Sequence, residues 1–323
     1  MLNNIRKLAL LGLAATFAIQ AIPERAVAQD FPNGPIEVIN NSRPGGGSDI
    51  FLRFATEKAG EILGTDFIHM SKTGGVATNT LKYVSGKPAD GQTLFIVNAG
   101  TLLTIMRGTV DLSFDDIVPL ARGTIDPNYI VVKAGKYADA AAFIDAAKSG
   151  PVKQGGTNVG GNPHVEALLM SKEIGMNKQV YVPFEKSGEI VINLVNGNLD
   201  VALLNLDEFE SQWKAGEVVP LAVLTEERVD SSPDVPTGHE VGLDLDLATV
   251  RGIGVLKGTP QPVVDQLEAA LIESMNSEGY LKYLEGAGQT SASIAGSEVF
   301  AKQLVRLNAG YQAVAEELRL ISK

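Results

Sequence analysis

Short apolar runs alternate with amphipathic stretches along most of the chain. An apolar run at residues 36–39 precedes a helical stripe over residues 50–63, and the same order recurs at residues 152–156 and 165–174. Such a succession of strand, turn and helix is typical of α/β folds. Because a Gly-rich turn joins strand to helix in each half of the chain, we predict two α/β lobes that face each other across a cleft.

The pattern predicts the elements in chain order. Strands are predicted at residues 36–39, 67–70, 93–97, 129–133, 152–156, 180–184, 199–204, 221–224 and 252–256. Helices are predicted at residues 50–63, 76–83, 138–147, 165–174, 189–195, 261–275, 278–285 and 297–320. No Gly- or Ser-rich linker divides the chain, so we expect short hinge strands near residues 126–128 and 225–230. This division assigns residues 29–126 and 226–323 to lobe 1, and residues 127–225 to lobe 2.

The first 28 residues have the features of a cleavable secretory signal peptide. Arg6 and Lys7 form a positive segment, residues 8–22 form an apolar segment, and residues 26–28 read Ala-Val-Ala. The apolar segment is too short for a stable membrane span, and the small residues that follow it mark a cleavage site. We therefore expect cleavage after Ala28 and a periplasmic protein whose mature chain begins at Gln29.

The composition excludes several classes of protein. The chain has no cysteine, which rules out disulfides, thiolate catalysis and Cys-ligated metal centres. Its formal net charge of −11 opposes binding to nucleic acids and to anionic membrane surfaces. His69, His164 and His239 lie far apart in the sequence and form no metal-binding pair. We expect a monomer that holds neither a metal nor a cofactor and that binds no nucleic acid.

A glycine-rich turn, Ser42-Arg43-Pro44-Gly45-Gly46-Gly47-Ser48-Asp49, joins the first predicted strand to the first predicted helix. Glycine leaves the backbone N–H groups uncovered and tolerates the positive φ angles that let successive N–H groups converge. The helix N-terminus behind the turn adds unpaired N–H donors and a partial positive charge. This geometry suits an anion, most simply a carboxylate. The alternative is a tight turn in which Ser48 or Asp49 is an ordinary N-cap.

Eight segments, taken in order, resemble those of the periplasmic solute-binding proteins of the tripartite tricarboxylate transporter family. Residues 44–49 resemble the family's PGGGTD loop, and residues 88–94 resemble its P-x-DGYTL turn. Residues 159–164 resemble its V-G-S/T-x-S-H turn, and residues 196–216 resemble its GGQVD…KAGK stretch. Further similar segments lie at residues 32–39, 181–184, 233–237 and 258–260. The resemblance covers nearly all of residues 30–323.

The resemblance implies a two-lobed α/β fold of the periplasmic-binding-protein kind, the type II venus flytrap, with a ligand cleft between the lobes. Backbone N–H groups of the glycine loop would hold a small organic carboxylate, either a dicarboxylate or an aromatic acid. The closed protein would deliver this ligand to the membrane subunits of the transporter. The ligand-binding residues that the resemblance implies are Pro44, Gly45, Gly46, Gly47, Ser48, Asp49, Asn98, Gly100, Thr101, Asn158, Gly161, His164 and Asn205.

Two other functions would use the same cleft. A periplasmic sensor subunit could present its ligand to a receptor kinase, and a lyase could be built on the same scaffold. An enzyme needs a titratable group that faces the ligand, and the candidates are His164, Asp49 and Asp207. No G-x-S-x-G or G-x-x-x-x-G-K-[ST] motif is present in the sequence. The sequence therefore favours a binding protein over an enzyme.

Arg43 stands where the family usually has an apolar residue. A charged residue beside the glycine loop faces solvent, pairs with an acid such as Asp49, or faces the cleft. In the cleft, its planar guanidinium would hold a carboxylate in bidentate fashion. We therefore add Arg43 to the candidate ligand-binding residues, with a second anionic or strongly polar group of the ligand as its partner.

Overall fold

The computed structural model describes residues 31–157, 159, 161–184 and 186–315. Within these residues the chain forms two mixed β-sheets with helices packed against them. The predicted signal peptide of residues 1–28 and the candidate residue Asn158 lie outside the described residues. None of the described helices is both long enough and apolar enough to cross a membrane.

The first sheet has six strands in the order β11–β4–β10–β3–β1–β2. Its strands are β1 (Ile36–Asn40), β2 (Phe67–Ser71), β3 (Thr93–Asn98), β4 (Ile117–Pro127), β10 (Ala248–Leu256) and β11 (Ala295–Gly296). Its helices are α1 (Gly47–Leu63), α2 (Thr78–Ser85), α3 (Ala99–Met106), α8 (Gln261–Met275), α9 (Glu278–Gly286) and α10 (Ser297–Ala315). β1, β2 and β3 are parallel, so the loops that follow β1 and β3 meet at one edge of the sheet.

Helices cover both faces of this sheet. β3 is buried along almost its whole length, and its successive residues alternate between two cores. Leu94 packs on one face with residues of α1 and α8. Phe95 packs on the opposite face with residues of α10. The continuous apolar run in this part of the sequence therefore reflects a strand that is buried on both sides.

The second sheet has five strands in the order β7–β6–β8–β5–β9. Its strands are β5 (Tyr129–Lys133), β6 (Pro151–Thr157), β7 (Lys178–Phe184), β8 (Val201–Leu204) and β9 (Val218–Val223). Its helices are α4 (Ala140–Ser149), α5 (Asn162–Ile174), α6 (Ser187–Val195) and α7 (Leu206–Lys214). β6 is parallel to β7 and β8, whereas β5 is antiparallel to β8 and β9.

The chain passes between the two sheets at two adjacent places. Asn128 alone separates them at the first crossing, since β4 ends at Pro127 and β5 begins at Tyr129. The returning chain lies beside it: Leu224 N–H donates to the Asn128 carbonyl at 2.8 Å, and Asn128 N–H donates to the Leu247 carbonyl at 3.1 Å. The two crossings are therefore hydrogen-bonded to each other.

The segment between β9 and β10 packs against the second sheet. Val235, Leu243 and Leu247 are buried in the cores on its two faces. The lobe division at residues 126 and 226 stays a prediction, and this packing leads us to propose a second lobe that extends to residue 247.

The sequence pattern does not predict β4 before residue 126, nor α3, nor α7. Pro119, Arg122 and Gly123 interrupt the apolar run of β4, which is a strand because β10 and β11 pair with it on its two sides. α3 follows β3 directly, so its apolar residues continue the run of the strand without a turn signal. α7 is polar along most of its length, and of its residues only Phe209 is buried.

Candidate ligand-binding site

The glycine-rich loop connects β1 to α1 and is closed by its own hydrogen bonds. Gly45, with a φ of +79°, donates its N–H to Asp49 Oδ2 at 2.9 Å. Gly46 N–H donates to the Arg43 carbonyl, also at 2.9 Å. Arg53 Nε donates to Asp49 Oδ2 at 3.0 Å. Asp49 therefore folds back onto the loop, and two of the glycine N–H groups are already used.

The donors that remain for an anion lie in the first turn of α1. Gly46 is the N-cap of the helix, so Ser48 and Asp49 do not take that position. Gly47, Ser48 and Asp49 are the first three helical residues, and N–H groups in these positions have no acceptor within a helix. The helix dipole adds partial positive charge. We call these three N–H groups the α1 nest.

Asp49 is an ionised structural acid in this loop. Burial pushes the pKa of Asp49 upward, but the hydrogen bonds from Arg53 and Gly45 outweigh it and leave the pKa below its ordinary value. The cation that pairs with Asp49 is Arg53, and not Arg43 as one alternative had it. Arg43 and Pro44 lie exposed at the tip of the loop. Contact between Arg43 and a ligand stays a prediction.

Asn98, at the end of β3, lies beside the nest. Its Nδ2 is 3.5 Å from Ser48 Oγ. Asn41 Nδ2 donates to Asn98 Oδ1 at 3.2 Å, and Asn98 Oδ1 also accepts the Thr101 N–H at 3.2 Å as the N-cap of α3. Thr101 is buried, and its Oγ1 donates to the Ile96 carbonyl at 3.0 Å. The Thr101 side chain thus supports the loop and does not face a ligand.

Gly100 is closely surrounded in the same cluster. A Cβ atom at this position would lie 3.1 Å from Asn41 Nδ2 and 3.2 Å from Val76 Cγ1. Val76 has a φ of +64°, which is rare for a β-branched residue, and it follows two glycines with positive φ. Such backbone strain is found mainly at ligand clamps and functional loops. Val76, in the β2–α2 loop, therefore packs beside Gly100 in this cluster.

Arg251 brings a cationic side chain to the nest, and the sequence analysis did not identify it. It lies on β10 opposite Asn98 of β3. Its Nη1 donates to Asp126 Oδ2 at 2.9 Å, and Gln289 Nε2 donates to Asp126 Oδ1 at 2.8 Å. Its Nη2 lies 3.3 Å from the position that a Cβ atom on Gly47 would occupy. In the sequence, Arg251 stands out only as a charged residue immediately before the strand predicted at residues 252–256.

The second-lobe candidates Gly161 and His164 lie at the start of α5. Gly161 is the N-cap of this helix. The His164 ring stacks on Tyr181 with ring centroids 4.1 Å apart, and the Tyr181 hydroxyl donates to the Thr157 carbonyl at 2.6 Å. Burial lowers the pKa of His164, so the ring is neutral at pH 7. His164 therefore offers an aromatic surface and a neutral ring rather than a positive charge.

Asn205 ties α7 to the first crossing. Its Nδ2 donates to the carbonyls of Asp126 and Pro127, both at 3.0 Å. Asn205 is also the N-cap of α7, and its N–H donates to Glu208 Oε2 at 2.9 Å. Burial raises the pKa of Glu208 and also that of Asp126, which Asp207 raises further. Asn205 thus holds the first turn of α7, which contains Asp207 and Glu208, next to the Asp126–Arg251 pair.

A buried carboxyl group lies further along α5. Glu166 is 3% exposed and accepts a hydrogen bond from Asn162 Nδ2 at 2.9 Å. The Tyr311 hydroxyl of α10 donates to Asn162 Oδ1 at 2.7 Å. Burial raises the pKa of Glu166 to about 7. This network joins a helix of the second lobe to a helix of the first.

The predicted residues thus fall into two groups. Gly47, Ser48, Asp49, Asn98 and Gly100 form one cluster in the first lobe, whereas Gly161, His164 and Asn205 belong to elements of the second lobe. Among the residues that the structure describes, no group of three or more histidine, aspartate or glutamate side chains could hold a metal ion.

Comparison with known proteins identifies the family. The family described as tripartite tricarboxylate transporter family receptor matches residues 51–309 of the chain. A UPF0065 protein from the tcbD–tcbE intergenic region of Pseudomonas sp. is 28% identical over 330 residues, which cover 99% of this chain and 96% of that protein.

Solved structures share the fold. A TctC solute-binding protein from Polaromonas has a TM-score of 0.82 at 25% identity and covers 89% of this chain and 99% of its own. MatC from Rhodopseudomonas palustris, with bound malate, has a TM-score of 0.66 at 22% identity, over 88% of this chain and 99% of its own. An R. palustris protein with adipate has a TM-score of 0.68 at 23% identity and covers 90% of this chain and 98% of its own. This chain therefore belongs to the receptor family of the tripartite tricarboxylate transporters and has the two-lobed fold of a periplasmic solute-binding protein.

Proposed function

We propose that this chain is the periplasmic receptor of a tripartite tricarboxylate-type transporter. It captures a small organic carboxylate, a dicarboxylate or an aromatic acid, in the cleft and delivers it to the membrane subunits of the transporter. It acts as a monomer and needs no cofactor. The observation that carries the proposal is the α1 nest, which lies beside Asn98 and Arg251 at the edge of the sheet where β1 and β3 end.

The proposed ligand contacts come from both lobes. The α1 nest, Asn98 and Gly100 bind one carboxylate from the first lobe, and Gly161 and His164 approach the ligand from the second. Thr101 and Asn205 act as supports, because their side chains are bonded to the backbone. Two of the structural neighbours hold malate and adipate, which are both dicarboxylates.

A binding role suits the titratable candidates better than catalysis does. Asp49 is ionised and engaged by Gly45 and Arg53 within the loop, so it is not available as a base. His164 is stacked on Tyr181. Receptors of this family are periplasmic solute-binding proteins, and this argues further for capture without chemistry.

A ligand panel tests the proposal. Malate, adipate and benzoate are each added to the purified protein, with adipamide as the uncharged control, and the unfolding free energy is measured. An acid present at 100 times its Kd is expected to raise the unfolding free energy by about 2.7 kcal/mol, whereas adipamide has no effect. If no organic acid stabilises a protein that is folded by circular dichroism, the proposal fails.

The proposed location makes a second prediction. Residues 1–28 are expected to be removed on export, because the chain carries a positive segment, an apolar segment and the Ala-Val-Ala site in that order. N-terminal sequencing of the protein from the periplasm of its own host is expected to start at Gln29. Recovery of the full-length chain from the cytoplasm would contradict this prediction.

A further inference from the structure

We propose that Arg251 is the charged residue that recognises the ligand carboxylate and makes the site specific for anions over neutral amides of the same shape. This inference rests on the proposed function, because it assigns a partner to the carboxylate held by the α1 nest. The sequence predicts that Arg43 meets a second anionic or strongly polar group of the ligand, and its side chain lies at the exposed tip of the loop.

The two terminal nitrogens of Arg251 have different surroundings. Nη1 donates to Asp126 Oδ2 at 2.9 Å. Nη2 lies 3.3 Å, and Cζ 3.6 Å, from the point where a Cβ atom on Gly47 would be. Nε lies 3.7 Å from the same point, so the face of the guanidinium covers Gly47, the first residue of the nest, and Nη2 is its nearest atom. A carboxylate on the nest can therefore accept from backbone N–H groups and from Nη2 together.

Arg251 is held in this orientation before any ligand binds. Asp126 accepts a second hydrogen bond from Gln289 Nε2 at 2.8 Å. Gln289 is buried, and its Oε1 accepts from Ile125 N–H and from Ser293 Oγ, both at 3.0 Å. Since these bonds fix the side chains in advance, less conformational entropy is lost when the ligand binds.

The charge of Arg251 accounts for the selectivity. Asp126 compensates the guanidinium, whose side chain is 20% exposed, and such a part-buried pair is costly to leave incomplete. A carboxylate accepts from the nest and from Nη2 with both oxygens. An amide would place its NH₂ group against one of these donors and would leave a donor unpaired.

The test follows acetate and acetamide binding by NMR on the uniformly ¹⁵N-labelled full-length protein at constant ionic strength. The backbone amide of Gly47 reports on the nest, and the Nε–H signal of Arg251 reports on the guanidinium. This signal is assigned by its loss in Arg251→Lys. In the wild-type protein both signals are expected to shift with acetate and to reach saturation together, and neither is expected to shift with acetamide. Saturation of the Gly47 signal with an unchanged Arg251 signal would overturn the inference.

Substitutions provide the second readout. Arg251→Gln is expected to raise the acetate Kd about 10- to 100-fold, and Arg251→Lys is expected to raise it less, because lysine keeps the charge but loses the planar fork. The matched control is Arg306→Gln, which removes the arginine of another ion pair, to Glu226 at 3.0 Å, and is expected to leave the Kd unchanged. The double variant Arg251→Gln with Asp126→Asn removes both charges together. Its acetate Kd tests the same role of Arg251 if the single variant does not fold.

The outcomes separate the two proposals. Unchanged acetate affinity in the Arg251 variants, with a Gly47 signal that still responds, would refute the role of Arg251 and leave the carboxylate receptor intact. A Gly47 signal that responds to no acid in the wild-type protein would refute the proposed function itself. A merely structural ion pair would alter the melting temperature of the variants without altering the preference for acetate over acetamide.

Discussion

Gly47→Val is expected to abolish carboxylate binding while leaving the protein folded. A Cβ atom on residue 47 would already lie 3.3 Å from Arg251 Nη2, and the two methyl groups of valine would fill the space beside the nest. The carboxylate then loses Nη2 and at least one backbone donor. Because each charge-assisted hydrogen bond contributes on the order of 1.5–3 kcal/mol, Kd is expected to rise by more than about 100-fold. Calorimetric titration with adipate or with the strongest acid of the panel measures the change.

The control for Gly47→Val is another glycine in a helix. Gly286, in the last turn of α9, has nothing within 4 Å of the position of a Cβ atom, so Gly286→Val is expected to leave affinity unchanged. Gly46 is a poorer test, since a Cβ atom there would lie 3.1 Å from the Arg43 carbonyl and would distort the loop itself. Wild-type affinity in Gly47→Val would show that the ligand does not approach the α1 nest.

Glu166→Gln is expected to stabilise the protein at pH 8 and to have little effect near pH 4.5. Burial raises the pKa of Glu166 from its ordinary 4.5 to about 7. The folded state therefore holds this proton more tightly than the unfolded chain, and the unfolding free energy falls as the pH rises from about 4.5 to about 7. At 1.36 kcal/mol per pKa unit, the ionised carboxylate costs about 3 kcal/mol at pH 8. Glutamine removes this cost, because it is neutral and can still accept from Asn162 Nδ2.

Denaturant unfolding at pH 4.5, 6 and 8 measures this effect. Besides burial, the groups that act on Glu166 are Asn162 and Asn128, whose hydrogen bonds lower its pKa, and Glu208, whose like charge raises it. Glu173→Gln on the same helix is the control, because Glu173 is exposed and its replacement is expected to change stability by less than about 0.5 kcal/mol. If the difference between Glu166→Gln and the wild-type protein stays constant with pH, Glu166 is not the buried acid described above.

Elements with strong local signals could be predicted closely. β5 (Tyr129–Lys133) and α8 (Gln261–Met275) begin and end at the predicted residues. β5 is a continuous apolar run, and α8 has a helical apolar stripe that follows Pro260. These signals depend on neighbouring residues and on the period of the element alone. The predicted two-lobed α/β fold is confirmed for the same reason, since the order of strands and helices is a local property repeated along the chain.

The loop at the site was predictable, but the use of its N–H groups was not. Three glycines before a helix leave backbone N–H groups uncovered at a helix N-terminus, which suits an anion. Which N–H groups stay available depends on Asp49, which turns back to accept the Gly45 N–H. That contact depends on the conformation of the whole loop and on Arg53 one helical turn further along. The sequence pattern therefore locates the donors only to within a few residues.

By itself, the sequence determined the class of the fold and the position of the glycine-rich loop, because both depend on residues that are close together in the chain. Only the tertiary structure decided which cation stands beside that loop. Arg251 and Asp126 are 125 positions apart and meet because β10 pairs antiparallel with both β3 and β4. Hydrophobic periodicity sets which face of a strand is buried, but it contains no information about the order of strands in a sheet, and the partner of the α1 nest depends on that order.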